Sequence, residues 1–357
     1  MNTKKYALIV AVILSVMVSC GFALDLQETL ELMGEQNAEL YIQSAVTAFG
    51  QSVNSGTFRT AKVHSLLGFD LGFSMGFTSI PDQAKYYQFY IPDASFIYTY
   101  DGQEIEVNLP ADQVYAGSRE VSSFLGPSKS HVFTPDVDLA LNLAAEQIAS
   151  QDPNITPQDI IEQDGGAILS EISPLLVPIT APSGFNIDLV PVPMPQVSLG
   201  LFNDIDVMLR YIPPISGGDY GDVSLLGMGA RIGLNQFIPL ENPLFPRITA
   251  GYTLTNLDLG DVAVASNSIT TLQVSKGLPF ITLYGGLGWE KSTMDVDYDY
   301  LDPTTQVKVP IEFSLDGKNE TRIIAGLRLK LMLLAINLDY NEGEYTTYSG
   351  GISISLR

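Results

Sequence analysis

The stretch Ile323-Ile324-Ala325-Gly326-Leu327-Arg328-Leu329-Lys330-Leu331 decides how this chain is read. Odd-numbered positions are apolar; after Ile324 the even ones are glycine or cationic. In a β-strand the two sets point to opposite faces. Leu327, Leu329 and Leu331 therefore need an apolar surrounding, and Arg328 and Lys330 a polar one. A soluble sandwich supplies both with its oil inside. A transmembrane barrel supplies them with oil outside and water within.

The same zigzag recurs along the chain. Phe69, Leu71, Phe73, Met75 and Phe77 alternate with Asp70, Gly72, Ser74 and Gly76. From Gln196 onward it is nearly continuous. Val207, Leu209 and Tyr211 oppose Asp206, Met208 and Arg210. Leu226, Met228 and Ala230 oppose Gly227, Gly229 and Arg231. Ile281, Leu283, Leu287 and Trp289 oppose Thr282, Tyr284, Gly286 and Glu290. Ile336, Leu338 and Tyr340 oppose Asn337, Asp339 and Asn341. A sandwich normally shows lysine and glutamate on its outer face, whereas here one face is leucine, isoleucine, valine and aromatic throughout. The other is glycine, serine and threonine with sparse charge. A charge on a lipid face costs about 2–4 kcal/mol at midplane, so its consistent absence selects the barrel. Only a closed sheet satisfies every backbone group in lipid.

Tyr86–Ile91, Phe96–Tyr100 and Ile105–Leu109 add further candidate strands, the last two joined by the turn Asp101-Gly102. The expected total is twelve, or fourteen if a hairpin forms around Val307, Val309, Ile311 and Phe313. Short connections (Asn203-Asp204, Lys276–Pro279, Met332–Leu334) alternate with longer polar ones (Pro213–Asp222, Asn256–Asn267, Lys291–Thr321), as in outer-membrane proteins. Tyr211, Tyr252, Trp289, Tyr340 and Tyr348 lie near strand ends, where an interfacial girdle belongs.

Lys4 and Lys5 precede the uncharged run Tyr6–Ala23, and Gly21-Phe22-Ala23 is a small-x-small site. This predicts a signal peptide over residues 1–23, with a lipoprotein signal at Cys20 as the alternative. Cys20 is the single cysteine, so no disulfide framework is expected. No second run of 18 apolar residues follows, which excludes a helical inner-membrane protein. A mean hydropathy of +0.18 is nevertheless high for an exported soluble chain. The net charge of −22 argues against nucleic acid as a partner.

Residues 24–58 read as a helical segment. Leu26, Leu30 and Met33 share one face, Tyr41, Ala45, Ala48 and Phe49 another, and Asn54-Ser55-Gly56 ends it. Such a segment ahead of the first strand is expected as a plug in the lumen. The barrel then takes residues 59–357, interrupted from 110 to 195. Within the interruption Thr134-Pro135 and Thr156-Pro157 start helices, the first running to about Ser150. Prolines 174, 178, 182, 191, 193 and 195 argue that the stretch holding them is no central strand. An interruption this long is no idle loop; it is expected as a folded extracellular excursion over the barrel mouth or, less favoured, as a small inserted subdomain.

A signal peptide, an N-terminal helical segment, a barrel of up to fourteen strands and a large apolar excursion together resemble the FadL-type long-chain fatty acid transporters. Tyr41-Ile42-Gln43-Ser44-Ala45-Val46-Thr47-Ala48-Phe49-Gly50, Asn54-Ser55-Gly56 and Pro195-Gln196-Val197-Ser198-Leu199-Gly200-Leu201 more closely resemble an uncharacterised family of FadL-like barrels from Bacteroidetes-type bacteria. The FadL-type Asn-Pro-Ala signature is absent, Asn37-Ala38-Glu39 being the nearest string. Arg357 stands where signals for the barrel-assembly machinery end in an aromatic, after the alternating Gly351–Leu356. The resemblance implies passive uptake of hydrophobic small molecules, fatty-acid-like or aromatic. It implies a greasy groove in the excursion, here Leu175, Leu176 and Phe185, a plugged lumen, and sideways release through the wall.

Catalytic and metal chemistry is not expected. His64 and His131 are the only histidines, neighbouring Ser65 and Ser130 in sequence, which is not triad geometry. Asp295-x-Asp297-x-Asp299 lacks the glycine and distal glutamate of an EF-hand loop. No cofactor is called for and the chain is read as a non-enzyme. The inward cations Arg210, Arg231, Arg322, Arg328 and Lys330 lie among inward Asp206, Glu290 and Asp339. They are expected either to pair and hold the plug or to bind a ligand carboxylate. The expectation is thus an all-β, closed, antiparallel transmembrane barrel of 12–14 strands in a bacterial outer membrane, contacting bilayer and lipopolysaccharide. It takes up hydrophobic molecules or, alternatively, serves untransporting as a surface scaffold or secretion accessory.

Overall fold

The computed structural model describes residues 34–216, 222–238, 245–260, 262–301 and 307–356. The expected signal peptide, Cys20 and the Leu26/Leu30/Met33 stripe lie outside the described residues. The chain divides into two compact units, residues 1–85 with 186–357, and residues 86–185.

The first unit is a closed antiparallel barrel. Its ten staves are β1 (Phe69–Ser79), β8 (Leu189–Gly200), β9 (Ile205–Ser216), β10 (Asp222–Gly233), β11 (Arg247–Leu259), β12 (Ala263–Gly277), β13 (Ile281–Leu301), β15 (Thr321–Leu331), β16 (Leu334–Glu342) and β17 (Thr346–Leu356). Each pairs with the next around the ring. β1 pairs with β17, and β12 with β13, so the ring closes. We call the end where β1 begins and β17 finishes the lower rim, and the other the upper rim. The stretch that opened the sequence reading is β15. Its Arg328 is buried and its Ile323 and Leu331 are exposed, as the alternation required.

The ring has ten staves, not the twelve to fourteen expected. The candidate strands at Tyr86–Leu109 belong to the other unit. The hairpin strand exists as β14 (Lys308–Asp316), but it pairs only with Thr293–Leu301, the end of the 21-residue β13, and does not enter the ring. Two expected upper loops shrink because the strands run further than their apolar patterning. β11 and β12 continue to Leu259 and from Ala263, in register through Asn256↔Ser266 and Asn267↔Thr255.

A second correction concerns the prolines. β8 is a barrel strand that contains Pro191, Pro193 and Pro195. It pairs with β1 along its whole length, Ser79↔Leu189 to Phe69↔Leu199, but with β9 only from Gln196 to Gly200. Backbone N–H groups alternate between the two edges of a strand. Gly200 donates to Gly68, on the β1 side, so even residues serve β1 and odd residues face β9. All three prolines are odd. Their missing donors fall on the edge that has no ladder, which is how proline enters a strand here.

Helix α1 (Glu35–Val53) and the segment after it run inside the first unit. Gln43 reaches Asp316 near the upper rim, Asn54 reaches Ser268 and Glu290, Thr57 and Phe58 accept from Gln196 and Gln273, and Leu67 donates to Gly200 near the lower rim. Residues 35–68 thus traverse the barrel from top to bottom, past inward side chains on most staves. Close approach is possible because the wall offers glycines: a Cβ on Gly76 would lie 2.7 Å from the Ser52 carbonyl oxygen.

The second unit holds β2 (Tyr86–Gln88), β3 (Ala94–Tyr100), β4 (Gln103–Leu109), α2 (Ala111–Val114), β5 (Glu120–Ser122), β6 (His131–Phe133), α3 (Val137–Ala149), α4 (Pro157–Ile172) and β7 (Ile179–Ala181). Its strands form three two-stranded ribbons, β2–β5, β3–β4 and β6–β7. Helices α3 and α4 pack together, and Ala140, Ala144, Ile160 and Ile168 on them are buried. Helix α4 starts at Thr156-Pro157 as expected, with a reciprocal capping box to Asp159. Helix α3 starts two residues later than Thr134-Pro135 predicts, because the Asp136 carboxylate takes the capping role, accepting from Leu139 N–H at 2.9 Å.

Candidate functional site

The barrel interior holds the charged residues that the alternation pointed inward. Each meets a partner on the traversing segment or on a neighbouring stave. On β9 and β10, Asp206 accepts from Arg231 Nε at 2.9 Å, from the His64 backbone N–H at 3.0 Å, and sits 3.0 Å from His64 Nδ1. Arg231 also donates to the Thr60 carbonyl. On β13 and β15, Glu290 accepts from Arg322 Nε at 3.1 Å and from Asn54 at 3.0 Å, while Arg322 donates to the Gln51 carbonyl at 2.9 Å. Asp70 on β1 lies between Arg59 of the segment, at 3.4 Å, and Arg328, at 2.8 Å. Asp339 accepts from Tyr284 and Ser349. Every one of these carboxylates is at least nine-tenths buried. Burial without partners would be very costly: removing one member of such a pair typically costs about 3–5 kcal/mol. Arg59–Asp70 and His64–Asp206 join the segment to the wall.

Arg210 differs. It is fully buried and donates to the Val53 and Ser55 carbonyls at 2.6 and 2.7 Å and to Gln196 at 3.1 Å. The Val53 carbonyl belongs to the last residue of α1 and Ser55 follows it, where the helix leaves its last acceptors unmet. Arg210 is thus a C-terminal cap supplied by the wall. At the upper rim Tyr345 N–H donates to the Gln51 side chain at 2.8 Å, and burial pushes the Tyr345 phenol up to about 12.

The interior is polar from mid-height down. Beside the proline edge its upper part is apolar. Val190, Val192 and Met194 point inward from β8, Ile212 from β9, and Val223 and Leu225 from β10; all are buried. Ser52 of α1 donates to the Val190 carbonyl, closing the back of this wall. The ladder between β8 and β9 ends at Gln196↔Arg210. Above it Pro195, Pro193 and Pro191 offer no N–H on the edge that faces β9, and β9 itself carries Pro213 and Pro214. The wall between the upper halves of β8 and β9 is therefore a seam without a ladder. β9 follows β10 there through an irregular register between Val223 and Leu225.

Of the site residues expected from sequence, Arg210, Arg231, Arg322 and Arg328 come together with the traversing segment. Lys330 lies lower, beside a cavity at the lower rim. Leu175, Leu176 and Phe185 belong to the second unit. Leu176 is buried, Leu175 is 40% exposed, and the Phe185 ring packs on Phe124 at 4.8 Å. His64 lies five residues before β1, on the traversing segment, where Asp206 holds it. Arg59 and Asp70 were missed as partners. The alternation through β1 already turned Asp70 inward; nothing local marks Arg59. Among the described residues no cluster of three or more histidine, cysteine or acidic side chains is arranged to hold a metal.

Residues 3–356 match the model of a family of unknown function, DUF6588, and the chain belongs to that family. Comparison with curated proteins gives no match.

Proposed function

We propose that this member of DUF6588 sits in a bacterial outer membrane and lets hydrophobic small molecules pass sideways, between the apolar upper interior and the bilayer. The observation that carries the reading is the proline seam between β8 and β9. It is the stretch of wall where two adjacent staves are not zipped by backbone hydrogen bonds, and it is lined inside by Val190, Val192, Met194 and Ile212. Axial passage is disfavoured, because residues 35–68 fill the polar lower interior, held by Arg59–Asp70, by His64–Asp206 and by hydrogen bonds from Arg210, Arg231 and Arg322 to their carbonyls. A solute entering from above meets an apolar wall, a blocked floor and a weak side.

The outward surface supports the membrane setting. Leu71, Leu209, Met228, Leu254, Leu272, Leu283, Leu338 and Ile352 are each 39–57% exposed, distributed round the ring. Burial in oil would recover the apolar transfer energy that water denies them. On β17 the exposed residues run from Tyr348 to Leu356. That is about 27 Å along the strand, or roughly 20 Å along the axis at a tilt near 40°, comparable with an outer-membrane apolar band. The outward charges Asp222, Asp258 and Glu342 stand at upper strand ends, and Lys291 lies just above the Trp289↔Thr321 pair where β15 begins.

The experiment reconstitutes the full protein into liposomes and follows a fluorescent fatty acid and a hydrophilic sugar of similar size. Faster transfer of the fatty acid, with no sugar leak, is expected. Equal, protein-independent rates for the fatty acid would end the reading. A second reading, a sealed scaffold that transports nothing, is favoured by the completeness with which α1 is buried: thirteen of its nineteen residues. Lipid extracts of the purified protein separate the two, since only a transporter should carry apolar ligand.

A further inference from the structure

Apart from the seam, the lower rim shows a second anomaly. The chain has 40 acidic residues and 18 basic ones, yet a cavity of about 370 Å³ there is lined by Lys62, Arg247, Lys276, Arg328 and Lys330. Among the described residues no carboxylate lines it. Strand register builds the cluster. Arg247 pairs with Ser275, the residue before Lys276, and Thr282 pairs with Arg328, two residues before Lys330. Lys330 donates its N–H to Phe280 at 2.8 Å, and Ser275 holds the traversing segment through Thr60 at 3.2 Å and Ala61 at 3.0 Å, which brings Lys62 to the same mouth. Like charges gathered in one concavity repel each other. The potential they focus favours an anion.

Arg328 adds an independent sign. Its side chain is about 3% exposed and one guanidinium nitrogen binds Asp70, but Nη1 has no hydrogen-bond partner among the described residues. A buried N–H left open is expensive and calls for an acceptor. Hydroxyls of Thr60, Ser275 and Thr282 share the lining, and Leu278 and Phe280, 59% and 67% exposed, stand at its edge. Donors surround the cavity, and apolar side chains flank it.

We propose that this lower mouth binds a phosphate group, either the head of an anionic phospholipid whose chains lie on Leu278 and Phe280 or a free phosphate. The lipid source rests on the membrane reading above; the phosphate site does not. The full protein in detergent is titrated with inorganic pyrophosphate by calorimetry. It is also exchanged into nanodiscs of phosphatidylglycerol or phosphatidylcholine and analysed for retained lipid by native mass spectrometry. The comparison variant is Arg247→Gln with Lys330→Gln, two partly exposed positions whose change should leave the barrel folded, as heat-modifiable migration will report. Retained phosphatidylglycerol over phosphatidylcholine, reduced at least tenfold in the variant, supports the lipid source. Salt-sensitive pyrophosphate binding with no lipid preference supports the free anion. Binding of neither, or equal binding by the folded variant, overturns the proposal. A protein that stays monomeric in water without detergent sinks the membrane reading, and the pyrophosphate titration then still decides the site.

Discussion

Restoring donors to the proline seam should close it. The perturbation is Pro191→Val, Pro193→Val, Pro195→Val and Pro213→Val together. Pro191 and Pro195 are half-buried and Pro193 is buried, and valine is close to proline in volume. Three of the new N–H groups lie on the β8 edge that faces β9, and the fourth is on β9. At about 1 kcal/mol net each, a completed ladder is worth about 4 kcal/mol. Losing four prolines frees the unfolded chain and returns about 3 kcal/mol of that. Net stability should therefore rise by only about 1 kcal/mol, and a melting curve is the wrong readout. Opening the seam is another matter. Unzipping all four bonds would add up to about 4 kcal/mol to the barrier, close to a thousandfold in rate, and even one bond costs about fivefold. Two measurements are needed. Hydrogen exchange across residues 189–195 and 211–216 should slow, proving that the ladder formed. Fatty-acid transfer in liposomes should fall at least fivefold. A zipped seam with transfer unchanged would refute the lateral route.

Three further outcomes follow from named contacts. Leu338→Arg puts a charge on the outward belt, where Leu338 is 54% exposed; it should destabilise the protein by about 2–4 kcal/mol in bilayers, against nearly nothing for a surface facing water. Denaturant titration in lipid vesicles reads the difference. Glu290→Ala leaves Arg322 buried and unpaired and should cost about 3–5 kcal/mol, seen as faster protease cleavage within residues 51–60. Gly76→Val would drive a Cβ to 2.7 Å from the Ser52 carbonyl and 2.5 Å from Ser55 Oγ. Displacement of the traversing segment should cost about 1–3 kcal/mol and raise single-channel leak in planar bilayers; an unaltered leak and stability would mean the segment does not seat there.

Much of the wall was legible because the information is local. In β15 every second residue faces the same way, so Arg328 inside and Leu331 outside could be read from nine letters. Thr156-Pro157 marked a helix start for the same reason: the cap, the proline and Asp159 lie within four positions. The proline-rich edge of β8 was misread because proline excludes a ladder on one edge only. Which edge needs a partner depends on β1 and β9, and neither is visible from residues 189–200. The strand count failed similarly. Ile105, Val107 and Leu109 alternate as well as any barrel stave, but their partner is β3.

The site divides along the same line. Period-two alternation put Arg210, Arg231, Arg322 and Arg328 on the inner face with Asp206 and Glu290. It could not say that Arg328 would share Asp70 with Arg59, since Asp70 and Arg328 are 258 residues apart and meet only because the ring closes. What the sequence alone determined is the sidedness of each strand, because side-chain direction follows from the backbone's own geometry. Ring size, the path of residues 35–68 and the pairing of charges were decided by tertiary structure, because each depends on which distant segment arrives next to it.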